Sequence, residues 1–374
     1  MESATIIFKS IENKTIVWFQ ENNQYIIVEK IVATIMRLLI ENKPTNKIIN
    51  FLVQEKKTPK KEVKRFIEDV KTLLGSVIKK EEPKSKVLLL PNFFHSKKYY
   101  KINDSIFFVE FKSEYEEFLI HPKFAHLEIN YSDSFNYHYQ VFANENSISF
   151  FINQKEIGTW SLKELHFFQG KFSMQIAQHI HQKEEKEWLG VFHASAISNG
   201  KKSILFLGDS GNGKSTSLAI LQANGYVCLA DDFVPIDVKK QEVYSFPSAI
   251  SIKPNSLETL LPMYPELKTL AEYHFKQLNK IAQYLPPNNL DYTRHLPCKA
   301  LVFIKYQKNS NLSIQKIDNL NAFEQLVPDS WLSPIFNNVE IFLDWFAQIT
   351  CYQLTYSNHK KMIETVHKIF NDDV

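Results

Sequence analysis

Arginine and cysteine are scarce in this chain, and neither sign of charge dominates it. Lysine and arginine together number 44 against 41 acidic residues, a net charge of +3 over 374 residues, so no strong field favours a nucleic-acid partner. The only arginines are Arg37, Arg65 and Arg294, and each is worth locating because arginine offers phosphate a rigid bidentate fork. The three cysteines form no CxxC pair, which argues against a zinc cluster or disulfide framework and fits a reducing compartment.

Targeting signals and long apolar segments are also missing. The first residues, MESATIIF, contain no basic stretch followed by an apolar one, so we expect no secretory signal. The longest apolar stretch, residues 25–40, is interrupted by Glu29, Lys30 and Arg37 and is shorter than the roughly 20 apolar residues of a membrane span. With 44% hydrophobic and 23% charged residues, the composition is that of a globular protein. We therefore predict a cytoplasmic protein with no membrane partner.

Residues 1–80 are predicted to form a small winged-helix-like module of α and β structure. Two short stretches look extended, and three segments follow in which apolar residues recur at helical spacing. In chain order, these are strands at 5–11 and 15–19, a helix over 27–40, a helix from Thr45, and a helix from the Thr58-Pro59 cap to Gly75. The charged, proline-containing run at residues 79–86 is the predicted linker.

Two further domains are predicted beyond the linker, since 374 residues exceed a single compact core. The first, residues 87–185, is rich in Phe and Tyr and reads as a packed sheet rather than an aromatic binding face. Its predicted strands are residues 105–110, 137–142, 147–152 and 167–174. The second, residues 186–374, carries the motifs that follow and is the predicted catalytic domain.

A glycine-rich motif between an apolar strand and a helix predicts a phosphate site. The apolar run 203–207 leads into GDSGNGKST and a helical continuation, and the spacing satisfies GxxxxGK[ST]. In such a loop, backbone N–H groups approach the phosphate oxygens, the lysine contacts the β- and γ-phosphates, and the serine hydroxyl ligates Mg²⁺. The predicted ATP-binding residues are Gly208, Asp209, Ser210, Gly211, Asn212, Gly213, Lys214, Ser215 and Thr216.

Two carboxylates and a histidine are predicted to face this loop. The short helix after the loop leads to a strand that ends in Asp231 and Asp232. One carboxylate would bind Mg²⁺ together with Ser215, and the other would accept a proton from an attacking hydroxyl; the sequence does not say which does which. The Asn-Gly pair at 199–200 predicts a hairpin that sets His193 beside the loop. In that position, His193 would contact a phosphate or the Asp pair. The alternative is a structural histidine of the strand.

The string from this histidine to the acidic pair resembles the HPr serine kinase/phosphorylase family, including relatives that phosphorylate free serine or ribosomally made peptides. The matching features are His193, the GDSGxGKS loop, a short helix and a strand ending in ADD, and the phosphoenolpyruvate carboxykinases share the early acidic strand. The resemblance implies an α/β fold with a P-loop core and a mixed sheet, Mg-ATP as cofactor, and transfer of the γ-phosphoryl group to a serine hydroxyl. The resemblance also implies that Lys214 and Ser215 contact the nucleotide and Mg²⁺, and that Asp231 and Asp232 occupy the metal and base positions.

The chain departs from that family pattern further along. The glycine-rich, arginine-containing signature associated with phosphorolysis has no equivalent between Gln241 and Lys280. This absence argues against HPr as the substrate. Arg294 is the candidate for neutralising charge during transfer, with an exposed salt bridge as the alternative. Lys253, at the end of another strand-like stretch, is a weaker candidate.

The order of elements in residues 1–80 carries a second resemblance, to the precursor-peptide recognition elements of peptide-modifying enzymes such as the pyrroloquinoline-quinone peptide chaperone. Such modules bind a leader peptide as an added strand against a helix. Lysines between residues 56 and 64 leave a DNA-reading winged helix as an alternative, but acidic residues interrupt them, which indicates a solvated helix face.

The sequence thus predicts a Mg-ATP-dependent serine kinase whose N-terminal module delivers a peptide substrate. Two alternatives stay open: a nucleotide-regulated binding protein or transcription regulator, and a phosphotransferase acting on a small metabolite such as free serine. Two carboxylates favour catalysis, because binding alone needs no base. The phosphate acceptor is not identified, and the oligomeric state, a homo-oligomer included, is left open.

Overall fold

The computed structural model describes residues 6–56, 59–77, 90–275 and 280–374. The chain divides into two compact units, Met1–Val87 with Leu332–Gln348, and Leu88–Trp331 with Ile349–Val374. The predicted linker at 79–86 and the predicted helix cap at Thr58 lie outside the described residues. Within the described ranges, no helix has the length and apolar character needed to cross a membrane.

The chain contains runs of two to four strands separated by helices. The strands are β1 (Ile6–Ile11), β2 (Lys14–Phe19), β3 (Gln24–Glu29), β4 (Ser96–Ile102), β5 (Ser105–Phe111), β6 (Glu128–Ile129), β7 (Tyr137–Ala143), β8 (Ser147–Ile152), β9 (Lys155–Ser161), β10 (Trp188–Phe192), β11 (Ser195–Ser198), β12 (Ser203–Leu207), β13 (Val227–Asp231), β14 (Val234–Asp237), β15 (Glu242–Tyr244), β16 (Ile250–Ile252), β17 (Tyr273–Phe275), β18 (Lys280–Leu285), β19 (His295–Tyr306), β20 (Ser313–Lys316), β21 (Ser330–Leu332) and β22 (Thr350–Tyr356). The helices are α1 (Lys30–Ile40), α2 (Thr45–Lys56), α3 (Lys60–Val77), α4 (Glu114–Phe124), α5 (Leu165–His181), α6 (Lys214–Ala223), α7 (Leu257–Leu260), α8 (Asn319–Leu326), α9 (Phe336–Gln348) and α10 (His359–Asn371).

The first unit is built on an antiparallel sheet in the order β1-β2-β3, followed by α1, α2 and α3. Apolar faces of the three helices share one core with the sheet, and its most buried members include Val17, Ile35 and Ile67. Helix α9 packs in the same unit, where Lys9 forms an ion pair with Asp344. The two predicted strands and the three helices are therefore present.

Two details of this unit differ from the prediction. Residues 27–29, predicted to start a helix, belong instead to the strand β3, because the β-branched run Ile26 to Val28 pairs with β2. Asn23 closes the β2–β3 turn in a left-handed conformation with φ 52° and accepts a hydrogen bond from Trp18 Nε1. Gly75 does not end the third helix, which continues to Val77.

The second unit begins with a six-stranded sheet in the order β6-β4-β5-β7-β8-β9, flanked by α4 and α5. The strands predicted at 105–110, 137–142 and 147–152 are confirmed as β5, β7 and β8. The strand predicted at 167–174 is wrong, because this stretch belongs to α5. Leu165, Phe168, Phe172 and Ile176 are buried at spacings of three, four and four residues, which is the period of a helix face rather than of a strand.

A larger mixed sheet forms the rest of the second unit and positions the candidate site. Its centre has the order β13-β11-β12-β19, and β19 also pairs with β22. Strands β12, β19 and β22 run parallel, so their carboxyl ends meet at one edge. Helices α6 and α10 share the apolar core on this sheet, with Leu218, Val302 and Val366 fully buried. This α/β architecture with mixed sheets agrees with the predicted class.

Candidate functional site

The glycine loop lies at the carboxyl edge of the larger sheet, between β12 and α6, in the strand–loop–helix order of the motif. Gly208 has φ +127° and Gly213 has φ +93°, values that side-chain-bearing residues rarely adopt. A Cβ atom at position 208 would lie only 3.0 Å from the carbonyl oxygen of Ile304, and one at position 213 would lie 3.2 Å from Cβ of Tyr306. Glycine is therefore required where the loop passes β19.

Lys214 and Ser215 open helix α6 directly after the loop. The Lys214 ammonium donates hydrogen bonds to the carbonyl oxygens of Gly208 and Asp209, so it lies over the loop itself. Burial lowers the pKa of Lys214, and the nearby carboxylates oppose that shift. The Ser215 hydroxyl donates to Asp231 Oδ1 at 3.1 Å, which joins the loop to the acidic pair.

Asp231 is the buried member of the acidic pair, with 2% of its surface exposed. Its Oδ1 also accepts a bond from the Ser195 hydroxyl at 2.6 Å, and its Oδ2 accepts one from the Ser251 backbone N–H at 3.0 Å. Burial raises the pKa of Asp231, the charge of Asp232 adds to the rise, and these hydrogen bonds oppose it. The carboxylate is thus fixed in one orientation toward Ser215.

Asp232 is the more exposed member, with 36% of its side chain accessible. It follows the end of β13 in a left-handed conformation with φ 70°, and its backbone N–H donates to the carbonyl oxygen of Ala194 at 2.9 Å. Each carboxylate oxygen has a basic partner, His193 Nδ1 at 2.8 Å from Oδ1 and Lys123 Nζ at 3.2 Å from Oδ2. Such backbone conformations are costly for a non-glycine residue and cluster at functional sites.

His193 lies beside the loop as predicted, but the strand around it is not continuous. Strand β10 ends at Phe192 and pairs with β14, while β11 starts at Ser195 and pairs with β12 through the predicted Asn-Gly hairpin. His193 therefore sits in the break between two strands and is free to turn toward Asp232. The hydrogen bond to Asp232 raises the pKa of His193, against the opposing effect of burial.

Lys123 is a residue that sequence reasoning missed. It belongs to α4, and its backbone carbonyl oxygen accepts a hydrogen bond from the N–H of Ala249 at 2.8 Å. Burial disfavours its ammonium, but the attraction of Asp232 and Asp231 outweighs that penalty and raises the pKa of Lys123. Lys123 and Asp232 are 109 positions apart in the chain, and no local motif marks the lysine.

Most predicted site residues line one cavity at this edge. They are His193, Asp209, Ser210, Gly211, Gly213, Lys214, Ser215, Thr216, Asp231 and Asp232. Asn212 turns away from it, and its backbone carbonyl oxygen accepts the N–H of Tyr306 at 2.9 Å. The weaker candidate Lys253 does line the cavity, and its ammonium donates to the Ser210 hydroxyl at 2.8 Å.

Arg294 is not brought to this site. It precedes the first residue of β19, whereas the loop lies beside the carboxyl end of that strand, where Leu207 pairs with Phe303. At about 3.3 Å per strand residue, roughly 30 Å separates Arg294 from Phe303. The backbone carbonyl oxygen of Arg294 accepts the N–H of Ser245. Arg294, predicted to neutralise charge during transfer, therefore lies away from the loop and is not among the residues that line the cavity.

The oxygen atoms of Ser215 and Asp231 suit Mg²⁺ bound together with phosphates. Mg²⁺ takes oxygen ligands and is commonly held by one or two protein groups, with water and substrate phosphate completing the octahedron. Within the described part of the chain, no cluster of three or more His, Cys, Asp or Glu side chains has the arrangement of a metal site. A hydroxyl and a buried carboxylate in mutual contact therefore fit a metal that arrives with a nucleotide.

Comparison with known proteins leaves the family open. No protein-family model matches the chain, and no curated protein matches it. Among solved structures, the HPr(Ser) kinase/phosphatase from Coxiella burnetii is similar over 49% of this chain and 94% of that chain, with 9% sequence identity and a TM-score of 0.22. A likeness at that TM-score carries no weight for activity, so any functional assignment rests on the residues of the site.

Proposed function

We propose that this chain is a Mg-ATP-dependent kinase that transfers the γ-phosphoryl group of ATP to a serine hydroxyl. The observation that carries the proposal is the contact between Ser215 and Asp231, with Asp232 held beside them by two basic groups. A phosphate loop, a metal-binding pair and a second carboxylate are the parts that phosphoryl transfer to a hydroxyl requires.

The two aspartates have different environments, which suggests different roles. Asp231 is buried and hydrogen-bonded through both oxygens, so it suits the metal position with Ser215. Asp232 is more exposed and can meet an incoming hydroxyl, so it suits the base that takes the hydroxyl proton on a carboxylate oxygen. Bound Mg²⁺ would neutralise charge that develops on the β- and γ-phosphate oxygens.

Positive groups around the cavity would hold the triphosphate and its transition state. The Lys214 ammonium, which now contacts carbonyl oxygens of the loop, would exchange them for phosphate oxygens. Lys253 lines the same cavity, where it donates to the Ser210 hydroxyl, and would neutralise charge in place of Arg294. His193 would keep the Asp232 carboxylate oriented, since its Nδ1 already contacts Oδ1.

A ribosomally made precursor peptide is the substrate we favour. In the first unit β3 is at one end of the sheet, and within the described ranges it pairs only with β2. An exposed sheet edge can accept a peptide as an added strand, so residues 1–80 would bind a leader peptide there. The described cysteines are free thiols, which suits a reducing compartment such as the cytoplasm.

A purely nucleotide-regulated binding protein is the rival function. Such a protein needs the loop and the metal pair but not a second carboxylate held by two basic partners. Catalysis gives Asp232 a purpose that binding alone does not.

Two substitutions separate these functions. Asp232→Asn should lower ADP formation from Mg-ATP by at least about 100-fold, the usual contribution of a general base, while ATP affinity measured by calorimetry stays nearly unchanged. Lys214→Ala should weaken ATP binding as well, because it removes a phosphate contact. Asp104→Asn, which neutralises an exposed carboxylate of the second unit, is the matched control and should behave as wild type.

The results also show where the proposal would fail. If Asp232→Asn lost ATP affinity as strongly as turnover, Asp232 would have a structural or metal role. If Lys214→Ala bound ATP as well as wild type, the phosphate-loop assignment would be wrong.

A further inference from the structure

Tyr306 is an exposed aromatic residue beside the phosphate loop that the proposed phosphoryl transfer does not use. It is the last residue of β19, and 41% of its surface is exposed. Its backbone N–H donates to the carbonyl oxygen of Asn212, and its Cβ lies beside Gly213. The ring is therefore attached to the loop itself and moves with it.

Neighbouring rings hold the Tyr306 side chain in place. The His359 ring lies nearly parallel to it, with an interplanar angle of 10° and 5.7 Å between centroids, and Tyr356 meets it edge-on at 5.5 Å. The Tyr356 hydroxyl in turn contacts the Ser217 hydroxyl of α6 at 2.7 Å. A ligand that stacked on Tyr306 would meet a ring that is already ordered, which reduces the entropic cost of binding.

Sheet order puts Tyr306 and the acidic pair on opposite sides of the loop. Asp231 ends β13, which lies on one side of β12 beyond β11, and Tyr306 ends β19 on the other side. In the proposed site, Ser215 and Asp231 would hold the metal at the γ-phosphate end. Because the loop amides cradle the middle of the triphosphate, the nucleoside end would extend the opposite way, over β19 and β22.

The carboxyl ends of parallel strands are where α/β sheets bind ligands. Strands β12, β19 and β22 run parallel and end at Leu207, Tyr306 and Tyr356. The phosphate loop follows β12, and Tyr306 ends the neighbouring strand β19, where it is not among the residues that line the cavity at the loop. A planar group joined to a triphosphate would reach both.

We propose that Tyr306, supported by His359, is the platform on which the nucleobase of ATP stacks. This inference rests on the proposed nucleotide site and adds the subsite for its base. Stacking on an aromatic face changes affinity by about 10- to 100-fold and tolerates different bases. The site therefore binds purine nucleoside triphosphates with little discrimination between adenine and guanine.

The cavity beside the loop is the competing position for the base. It presents Asn255 and Ser256, and the Ser256 hydroxyl is bonded to that of Thr216 at 2.7 Å. These groups could read a base only through hydrogen bonds, and they offer it no ring face. Tyr306 supplies the flat apolar surface that a purine requires.

Comparing ATP with tripolyphosphate isolates the contribution of the base. Calorimetry would measure binding of each, with Mg²⁺, to wild type, Tyr306→Ala and Tyr306→Phe. Tyr306→Ala should lower ATP affinity by about tenfold or more. Tripolyphosphate has no base to stack on the ring, so its affinity should stay within about twofold of wild type, which is a small change in binding free energy. Tyr306→Phe keeps the ring and should bind ATP as wild type does. Tyr131→Ala removes another exposed tyrosine of the same unit and serves as the control.

Several results would overturn the inference. Equal losses for ATP and tripolyphosphate in Tyr306→Ala would mean that the substitution distorts the loop, and unchanged ATP affinity would exclude stacking. A selective loss of ATP affinity in Asn255→Ala would put the base in the cavity that Asn255 lines. Wild type that binds tripolyphosphate as tightly as ATP would refute this subsite alone, whereas wild type that binds neither would refute the proposed nucleotide site and the subsite with it.

Discussion

Lysine and histidine, rather than arginine, surround the carboxylate proposed as the base. Lys123 and His193 each contact one oxygen of Asp232, and Lys214 lies nearby over the loop. Each ammonium or imidazole donor is a compact charge, so it can hold a carboxylate without the wide planar fork of a guanidinium. The site can therefore form in a chain with three arginines, because it is small and each contact involves a single nitrogen atom of the donor.

Lys123 should act on turnover rather than on nucleotide binding. Lys123→Met removes the partner of Asp232 Oδ2, so the carboxylate can rotate away from the acceptor, and we expect ADP formation to fall by about tenfold or more. ATP affinity should change little, because Lys123 contacts the acid and not the loop. Lys123→Arg, which keeps a donor, should recover part of the activity.

The control for this lysine is Lys112→Met, which removes an exposed positive charge from the same unit. It should leave both turnover and ATP affinity unchanged. A Lys123→Met variant with normal turnover, or with turnover and ATP affinity reduced equally, would contradict a positioning role.

Site residues that lie close together in the sequence could be predicted, and those that only the fold brings together could not. The loop from Gly208 to Thr216 and the acidic pair lie within one strand–helix–strand unit, so their spacing carries the information. Lys123 reaches Asp232 from a helix 109 positions away, which no spacing rule covers. Arg294 was selected because arginine is rare in this chain. The direction of β19 places it at the end of that strand that lies away from the loop.

At the scale of elements, the informative errors are β3 and α5. Residues 27–29 were assigned to the helix that follows, because β-branched residues occur on both sides of Glu29 and Lys30. In α5 the dense aromatic residues resembled a strand, yet the buried positions recur with a helical period. In both segments, residue composition and hydrophobic periodicity indicated different elements. The pairing with β2 and the packing of α5 determine which element the structure contains.

Helix α5 also makes stability depend on pH. His179 and His181 lie in its last turn, and burial lowers the pKa of each to about 4, against about 6.5 in an unfolded chain. As pH falls from about 6.5 to about 4, the unfolded chain binds protons that the folded one does not. The contribution of these two histidines to the free energy of unfolding should therefore fall across that window, by about 1–3 kcal/mol per histidine, and stay level above it.

Chemical denaturation at a series of pH values would measure this dependence. His181→Gln can still donate to the Ser245 carbonyl oxygen, which His181 contacts at 2.9 Å, and should show a shallower loss of stability below pH 6.5. His166→Gln replaces an exposed histidine of the same helix and should match wild type. An unchanged slope in His181→Gln would show that this histidine does not titrate as described.

At the scale of the whole molecule, chain order and compact units do not coincide. Helix α9 comes from residues late in the chain but packs in the first unit, where Asp344 pairs with Lys9 across 335 positions. Hydrophobic periodicity predicts that a helix exists, but it carries no information about its distant partner. The α/β class and the order of elements around the loop were accessible from the sequence, whereas this long-range packing was not.

The central claim is that the chain moves the γ-phosphoryl group of ATP onto a serine hydroxyl. Mass spectrometry tests it most directly, applied to a short precursor peptide encoded beside this chain's gene after incubation with Mg-ATP. With the wild-type chain, the peptide should gain one phosphate on a serine, and with Asp232→Asn it should gain none. Nucleotide binding by the wild-type chain with no phosphate on the peptide, or equal phosphorylation by the variant, would contradict the proposed mechanism.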